Sequence, residues 1–422
     1  MRFRLVVMNF LEFAAWGAYL TSMGAYLATA GLGTDIGNYY AIQGMVSIFM
    51  PALMGIVADR WVQAQRLLSF CHFMAAVFMG LSAWVGLSAV QQGSPVDGTL
   101  LFFFYTLSVT FYMPTLALSN SVAYTSLDKA GLDTVKTFPF IRVFGTIGFI
   151  CAMLLVDFTG YQNTPIQFIV SGIISLALTI YALTLPSCPI DRNSASQSVV
   201  EAFGLKAFTL FKDKKMAFFF IFSFLLGVSL QITNGYANPY IQSFGGNPDY
   251  AGMFFVKHSN LLVSLSQMSE TLCILLIPFC LKHFGIKKVM LIAMLAWVGR
   301  FAFFGLGNPG DGVWLLILSC IVYGVAFDFF NVSGSLFVDK ETDISMRSSA
   351  QGLFMLMTNG LGATLGSLGA KIIINRFVYA EGLTVAEQTQ GWQTSWYIFA
   401  GYALVVAIAF SILFEYKHER GS

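Results

Sequence analysis

Long apolar segments alternate with short polar ones along almost the whole chain. Each apolar segment has about 20 residues or more, the length that an α-helix needs to cross the hydrocarbon core of a bilayer. The pattern therefore predicts an all-α, polytopic membrane protein with twelve spans. The predicted spans are residues 5–29, 37–58, 67–89, 99–126, 139–159, 165–186, 215–240, 255–281, 289–307, 313–335, 348–374 and 393–415.

A longer polar stretch divides these spans into six and six. We predict an N-terminal six-helix half at residues 1–186, a cytoplasmic linker at 187–214 and a C-terminal six-helix half at 215–422. This layout is typical of the major facilitator superfamily, in which two six-helix halves surround a substrate site near the membrane midplane.

Composition agrees with a membrane protein. The chain is 57% hydrophobic and 10% charged, whereas globular proteins usually carry about 25% charged residues. Such a composition is incompatible with a soluble surface. The formal net charge of +2 indicates no particular partner and no nucleic acid.

The positive charges predict the orientation. Most of the 23 Lys and Arg residues fall on one side of the predicted spans, and this side is cytoplasmic by the positive-inside rule. Both termini and the linker are then cytoplasmic. The start, with Arg2 and Arg4 before an apolar run, imitates a signal peptide. Glu12 interrupts that run and no clear cleavage site ends it, so we expect a retained first helix.

Two short motifs and the cysteines add little chemistry. The stretch from Gly55 to Arg60 resembles the cytoplasmic loop signature of the superfamily, and the stretch from Lys282 to Lys288 is a weaker copy. We expect both to hold helix ends together rather than to bind substrate. The cysteines form no CxxC pair and no metal-ligand spacing, which predicts buried, inert thiols. They are Cys71, Cys151, Cys188, Cys273, Cys280 and Cys320.

Five ionisable residues stand out as candidates for membrane depth, namely Glu12, Arg142, Glu270, Arg300 and Asp328. Each would cost about 2.5–3.5 kcal/mol near the bilayer centre if it faced lipid. These side chains must therefore face protein, water or one another. We expect Arg300 to be a structural ion-pair partner. Glu12 suits cavity lining and interhelical bonding equally well.

Polar and aromatic residues recur at helical spacing on four spans, two residues or more on each face. A carboxamide matches the edge of a nucleobase, because it donates and accepts at once. An aromatic ring can stack on a base, and a carboxylate or guanidinium suits sugar hydroxyls. The faces are Arg142, Thr146 and Phe149; Gln231 and Asn234; Gln267 and Glu270; and Tyr323, Phe327 and Asn331.

Spacing alone leaves simpler interpretations open. Amides inside spans often only tie helices together, at about 0.6 kcal/mol per contact. Phe149 and Phe327 are two of 42 phenylalanines, which favours packing. His72 and His258 lie near predicted span ends, where an interfacial or satisfied histidine is expected rather than a proton relay.

At these residues the chain resembles the bacterial nucleoside–proton symporter family of the major facilitator superfamily. The resemblance runs from about Leu11 to His418. Several long motifs in the same order make it specific. They are Phe49 to Asp59, Ile141 to Phe149, Leu230 to Asn234, Ser264 to Thr271, Val322 to Asn331, Ser349 to Gly352 and Met357 to Gly360.

The resemblance implies proton-driven nucleoside uptake across a bacterial inner membrane, with protons as the coupling ion and no other cofactor. Its expected partners are a nucleoside and the lipid bilayer, and the protein is expected to be a monomer. Asp328 is our candidate for proton coupling. Glu270 is the second candidate and is favoured for gripping ribose, and Arg142 pairs with either acid in the empty site. The implied nucleoside site is Arg142, Thr146, Phe149, Gln231, Asn234, Gln267, Glu270, Tyr323 and Phe327.

The chain departs from the family at two places. Family members carry acidic residues just before the Gln-x-x-Asn pair, where this chain has Phe224 and Ser229. Any coupling role of those acids does not transfer. Glu12 stands where a relative has an amide, which can alter selectivity or proton handling.

Three other functions compete with this interpretation. A proton-coupled sugar symporter also uses carboxylates, arginine and aromatic platforms. An intramembrane enzyme needs a nucleophile–base set or metal ligands such as HExxH, and the sequence contains none, so we predict no enzyme. A receptor or structural membrane protein fits the six-plus-six layout and the buried charges poorly.

Overall fold

A computed structural model of the chain describes residues 1–190, 205–343 and 346–416. Within these ranges every regular element is a helix. The chain divides into two compact units, unit 1 at Met1–Phe203 and unit 2 at Gly204–Ser422. The exact limits that we predicted for the linker stay a prediction, and residues 191–204 of it lie outside the described residues.

Unit 1 contains six spans, and two of them are broken. A turn at residues 18–22 interrupts the first span, and the fourth is interrupted at Pro114. Proline lacks a backbone N–H and its ring clashes with the preceding helical turn, which explains the second break. The helices are α1 Arg2–Gly17, α2 Met23–Thr29, α3 Ile36–Arg60, α4 Ala64–Gln92, α5 Gly98–Tyr112, α6 Thr115–Lys129, α7 Thr134–Phe158 and α8 Ile166–Leu183.

Unit 2 also contains six spans, and two of them are irregular. The seventh span is interrupted at Gln231, and the eleventh contains a π-helical segment, Leu356–Gly362. Such segments are rare and often occur at functional sites. The helices are α9 Lys214–Leu230, α10 Ile232–Ser243, α11 Ser259–Cys273, α12 Ile277–Leu306, α13 Val313–Glu341, α14 Arg347–Met355, α15 Ala363–Phe377 and α16 Val385–Leu413.

Helix lengths give the number of spans. Ten described helical stretches are long and apolar enough to cross a membrane. α1 has only 16 residues but continues into α2, which adds one span. The stretch Ser259–Leu306 has 48 residues, about 72 Å at 1.5 Å per residue, and a bilayer core is about 30 Å thick. Gly285, at a φ of 78°, breaks it into two spans. The twelve predicted spans are therefore confirmed.

Close glycine contacts hold the helices that carry candidate site residues. A Cβ added at Gly148 of α7 would lie within 3.0 Å of the Phe10 carbonyl oxygen of α1. In unit 2, a Cβ added at Gly366 of α15 would lie within 3.0 Å of the Val228 carbonyl oxygen of α9. Small residues allow such backbone approach inside membranes. The first and fifth spans of unit 1 thus pack as the first and fifth spans of unit 2 do.

Replacing Gly366 with alanine is expected to destabilise the protein by about 1–3 kcal/mol, the usual cost of overpacking. The added methyl group has backbone atoms as neighbours and cannot be accommodated by rotating a side chain. Thermal unfolding of the purified protein in detergent measures the effect. Gly369→Ala on the same helix is the matched control, since nothing lies within 4 Å of its Cβ position. Equal melting temperatures for both variants would contradict the close contact.

Candidate functional site

Three candidate residues, Arg142, Thr146 and Phe149, lie on α7 of unit 1. The helix begins after Asp133, whose carboxylate accepts a hydrogen bond from the Lys136 backbone N–H at 3.2 Å. Arg142 and Thr146 are half-buried and Phe149 is buried. The helical spacing inferred from the sequence therefore places these three side chains along one helix at the expected intervals.

Helix α1 supplies aromatic neighbours to this face. The Arg142 guanidinium carbon lies 3.9 Å from the centroid of the Phe13 ring, within the range of a cation–π contact. The Trp16 ring meets Phe149 edge-on, with 6.1 Å between ring centroids. Trp16 also contacts Tyr112 of α5, at 6.0 Å. Arg142 and Phe149 are thus each positioned by an aromatic ring of α1.

Glu12 lies on the same helix and is fully buried. Its Oε2 is 2.9 Å from Nε2 of His72 on α4, and its Oε1 accepts a hydrogen bond of 2.6 Å from the Thr115 hydroxyl on α6. The Tyr112 hydroxyl donates to its backbone carbonyl at 2.7 Å. Glu12 therefore bonds between helices. Of the two interpretations left open for His72, the satisfied histidine fits, because its side chain is 0% exposed and bonds to Glu12.

In unit 2, Gln231 and Asn234 lie where α9 gives way to α10. The Asn234 amide donates to the Gln231 side-chain oxygen at 2.6 Å. Both residues are half-buried. Gln231 is the residue between the two helices, so this break presents both amides on the same short segment of chain.

Helices α11 and α13 bring a second set together. The Gln267 side chain interacts with the Tyr323 hydroxyl, and the Glu270 carboxylate acts on that hydroxyl electrostatically. The two helices touch closely, because a Cβ at Gly324 would lie within 3.0 Å of the Ser269 carbonyl oxygen. Gln267 and Glu270 are half-buried and Tyr323 is buried.

Two rings on α13 form a shelf, named here the aromatic shelf and made of Tyr323 and Phe327. Their planes are 16° apart and their centroids 5.6 Å apart, which is a stacked arrangement. Trp297 of α12 meets Tyr323 edge-on at 5.9 Å. Tyr323 is 4% exposed, whereas Phe327 is half-buried, so Phe327 is the more accessible ring.

Arg300 lies beneath the aromatic shelf and is 2% exposed. Its Nε donates to the Thr233 hydroxyl at 3.3 Å, and its Nη1 donates to the Ser266 hydroxyl at 3.2 Å and the Ser319 carbonyl at 2.9 Å. Its guanidinium carbon is 4.4 Å from the Tyr323 centroid. The prediction that Arg300 forms an ion pair is therefore wrong. Within the described ranges Arg300 bonds to hydroxyl and carbonyl oxygens and contacts aromatic rings.

Asp328 follows the aromatic shelf on α13 and is 5% exposed. It acts electrostatically on the Tyr323 hydroxyl and on Cys273 of α11. Burial of a carboxylate is costly unless charge or hydrogen bonds compensate. The second acid, Glu270, also acts on Tyr323. The two candidate coupling acids of unit 2 thus share one neighbouring group.

A comparison with protein families decides what this chain is. The family model "Nucleoside H+ symporter" matches residues 1–419. The chain belongs to this family. The resemblance seen in the sequence motifs is therefore confirmed, together with proton-coupled nucleoside transport as the family's activity.

Full-length relatives agree with this family assignment. The symporter is 44% identical to nucleoside permease NupG of Escherichia coli (strain K12) over 423 residues, which cover 100% of this chain and 97% of that protein. It is 45% identical to the xanthosine permease of the same organism over 419 residues, with 99% and 96% covered. These relatives are named permeases, so the symporter is a multi-pass membrane transporter and not an enzyme.

Solved structures confirm the fold of the symporter. A mutant of the nucleoside transporter NupG matches it with a TM-score of 0.91 and 43% identity, covering 98% of this chain and 100% of that chain. A D-xylose-proton symporter matches with a TM-score of 0.69 at 15% identity, covering 97% and 96%. The second likeness shows the fold alone. The predicted major facilitator fold, with two six-helix halves, is confirmed.

Sequence reasoning missed several neighbours of the symporter's candidate residues. Trp16 lies four residues after Glu12 and so on the same helical face, a signal that could have revealed it. Nothing in the sequence joins Glu12 to His72, sixty residues later, or Trp297 to Tyr323. Those contacts depend on which helices pack side by side.

The remaining polar chemistry is limited. Among the described residues, no group of three or more His, Cys, Asp or Glu side chains could hold a metal ion. All six cysteines are free. Burial is confirmed for Cys71, Cys188, Cys273 and Cys320, whereas Cys280 is half-buried and Cys151 is exposed.

Proposed function

We propose that the symporter takes up nucleosides together with protons, and that the aromatic shelf with Gln267 and Glu270 forms the centre of its nucleoside site. The observation that carries this proposal is the placement of stacked rings, a carboxamide and a carboxylate around Tyr323 within one unit. Rings receive the face of a base. The carboxamide donates to and accepts from its edge. The carboxylate accepts hydrogen bonds from ribose hydroxyls.

The paired amides add a second recognition element. In the hydrogen bond between these residues, the Asn234 amide N–H donates to the Gln231 side-chain oxygen. The Gln231 amino group and the Asn234 oxygen then provide a donor beside an acceptor. This combination is complementary to a base edge, and the break between α9 and α10 places it at membrane depth.

We assign Arg142, Thr146 and Phe149 of unit 1 to the same substrate. Arg142 offers several fixed N–H donors and Thr146 a hydroxyl, both on half-buried side chains. Phe149 offers an apolar ring that Trp16 supports from the side. Polar groups at membrane depth are tolerated only where they face protein, water or substrate. Contact of Arg142 and Thr146 with the substrate is consistent with this requirement.

In the proposed coupling step, Asp328 binds the proton and Glu270 grips ribose. Protonation of Asp328 removes a buried negative charge beside the aromatic shelf. Loading with proton and nucleoside shifts the population toward the state that releases both inside. Release of the proton inside restores the carboxylate and completes the cycle.

We also propose the cellular setting. The excess of Lys and Arg on one side of the spans indicates cytoplasmic termini, and the bacterial relatives suggest the inner membrane. The cytoplasmic linker at 187–214 belongs to this proposal. We propose a monomer with no cofactor besides the coupled proton.

The competing sugar symporter is distinguished by a competition experiment. In proteoliposomes that hold the purified protein, unlabelled uridine is expected to compete with labelled uridine at least about tenfold more strongly than ribose does. The reason is that ribose cannot gain the roughly 1–3 kcal/mol of base stacking. Measurement of counterflow makes the result independent of the proton gradient. Equal competition by ribose would favour the sugar symporter instead.

A further inference from the structure

The Glu12–His72 pair in unit 1 is a buried titratable group with no part in the proposed coupling at Asp328. Both side chains are 0% exposed, and Glu12 Oε2 is 2.9 Å from His72 Nε2. The Thr115 hydroxyl bonds to the other carboxylate oxygen at 2.6 Å. The opposite ring nitrogen of His72, Nδ1, is buried and has no hydrogen-bond partner in the described part of the chain.

We propose that the Glu12–His72 pair is a second proton-binding site of the symporter, and that its protonation controls how strongly this part of unit 1 attracts Arg142. The link to substrate rests on the proposed function, in which Arg142 contacts the nucleoside. The proton site itself does not depend on that proposal.

The net charge of the Glu12–His72 pair supports a proton site. A carboxylate beside a neutral imidazole leaves a net negative charge on two buried side chains, and burial of an ion costs several kcal/mol. One proton bound by the imidazole ring removes that net charge. It forms one N–H bond and breaks none in the protein. Water supplies the proton and takes it back.

The unpartnered Nδ1 is the position at which the ring would bind the proton. With the Nε2–H donating to Glu12, the lone pair of Nδ1 is free in the neutral ring. The ring packs edge-on against Tyr112, with 5.9 Å between centroids, so its orientation is fixed.

The described residues around the pair include one fixed positive charge, Arg142 on α7. Cys71 on α4 and Tyr112 on α5 interact electrostatically with Glu12, and Arg142 on α7 acts on Tyr112. Helix α6 contributes the Thr115 hydroxyl. Helix α8 also packs on α1, and its one titratable group, Tyr181, bonds to the Arg4 carbonyl near the far end of α1.

Arg142 and the pair share a neighbouring group. Glu12 and Arg142 both interact electrostatically with Tyr112, and the Arg142 guanidinium carbon lies 3.9 Å from the centroid of the Phe13 ring on α1. With the pair unprotonated, its negative charge attracts the guanidinium toward α1. With the pair protonated, this attraction is lost and Arg142 is available to a nucleoside oxygen. A nucleoside should therefore bind more tightly to the protonated protein.

The proton site is tested by nitrogen NMR of the full-length protein in detergent, labelled with ¹⁵N-histidine. The chain has four histidines, and loss of a signal in His72→Gln identifies the ring. In the wild-type protein the ring is expected to pass from neutral to protonated as the pH is lowered over the range in which the protein stays folded. A His72 ring that keeps one state over this whole range would overturn the proposal without any further variant.

Glu12→Gln tests the role of the carboxylate. Glutamine retains groups that can bond to Thr115 and His72 but carries no charge, so a protonated ring would be an isolated buried cation. The His72 ring is expected to stay neutral over the same pH range, while the other three histidine signals are unchanged. Identical pH behaviour of His72 in this variant and in the wild type would show that the two residues do not act as a pair.

Uridine tests the link to Arg142. Because coupling is reciprocal, saturating uridine at a fixed pH is expected to raise the ratio of protonated to neutral His72 by about fivefold or more. Uridine that binds without changing this ratio would overturn the link and leave the proton site standing. Absence of uridine binding itself, with normal His72 titration, would instead count against the proposed function.

Discussion

Replacing Asp328 with asparagine is expected to abolish proton-driven accumulation of uridine while counterflow continues. Asparagine has nearly the same shape but cannot take up a proton. For one coupled proton, a gradient of one pH unit is worth about 1.4 kcal/mol, or roughly tenfold accumulation. In proteoliposomes, the wild-type ratio of internal to external uridine is therefore expected to fall from about ten to about one in the variant.

Asp311→Asn is the matched control, since Asp311 is exposed in the loop before α13 and the chemical change is the same. Its accumulation ratio is expected to equal that of the wild type. Glu270→Gln separates the two acids: we expect weaker uridine binding but continued response to the gradient. If Asp328→Asn still accumulates uridine as the wild type does, Asp328 does not carry the coupled proton.

Truncating the aromatic shelf should weaken nucleoside binding most strongly at Phe327. Stacking of a base on an aromatic ring contributes roughly 1–3 kcal/mol, so Phe327→Ala is expected to raise the uridine dissociation constant by roughly 5- to 150-fold. Gln267→Ala removes a neutral hydrogen bond of about 0.5–1.5 kcal/mol, or roughly two- to twelvefold. Calorimetric titration of the purified protein with uridine measures both.

Phe279→Ala provides the comparison for Phe327→Ala, because this ring of α12 is 59% exposed and carries no candidate contact. Its uridine affinity should match the wild type. Melting temperatures of all three variants show whether the fold survives. Wild-type affinity in both Phe327→Ala and Gln267→Ala would place the nucleoside site elsewhere.

The spans were predictable because their signal is local. About twenty apolar residues in a row must leave water, and backbone groups in lipid must bond within the segment. The helical faces follow from the same regularity, and Tyr323 and Phe327 are stacked as an i, i+4 spacing requires. The breaks are less predictable. Pro114 signals one of them, whereas the π-helical segment Leu356–Gly362 has no such residue.

The sequence did not predict which side chains bond to one another across helices. Arg300 looked like half of an ion pair, since an isolated charge at membrane depth is costly. The fold instead surrounds it with Thr233, Ser266 and the Ser319 carbonyl and places it against the Tyr323 ring. His72 looked like an interfacial or satisfied histidine because of its position near a predicted span end. Helix packing buries it against Glu12.

The sequence by itself determined the number of spans, the family and the residues that carry the candidate chemistry, because hydropathy and motifs act along the chain. Only the tertiary structure decided which costly groups compensate one another. That outcome depends on close approaches such as Gly148 to Phe10 and Gly324 to Ser269, which set the helix pairs. The energy of a buried charge is determined within a few ångströms in space, and residues so close can be sixty apart in sequence.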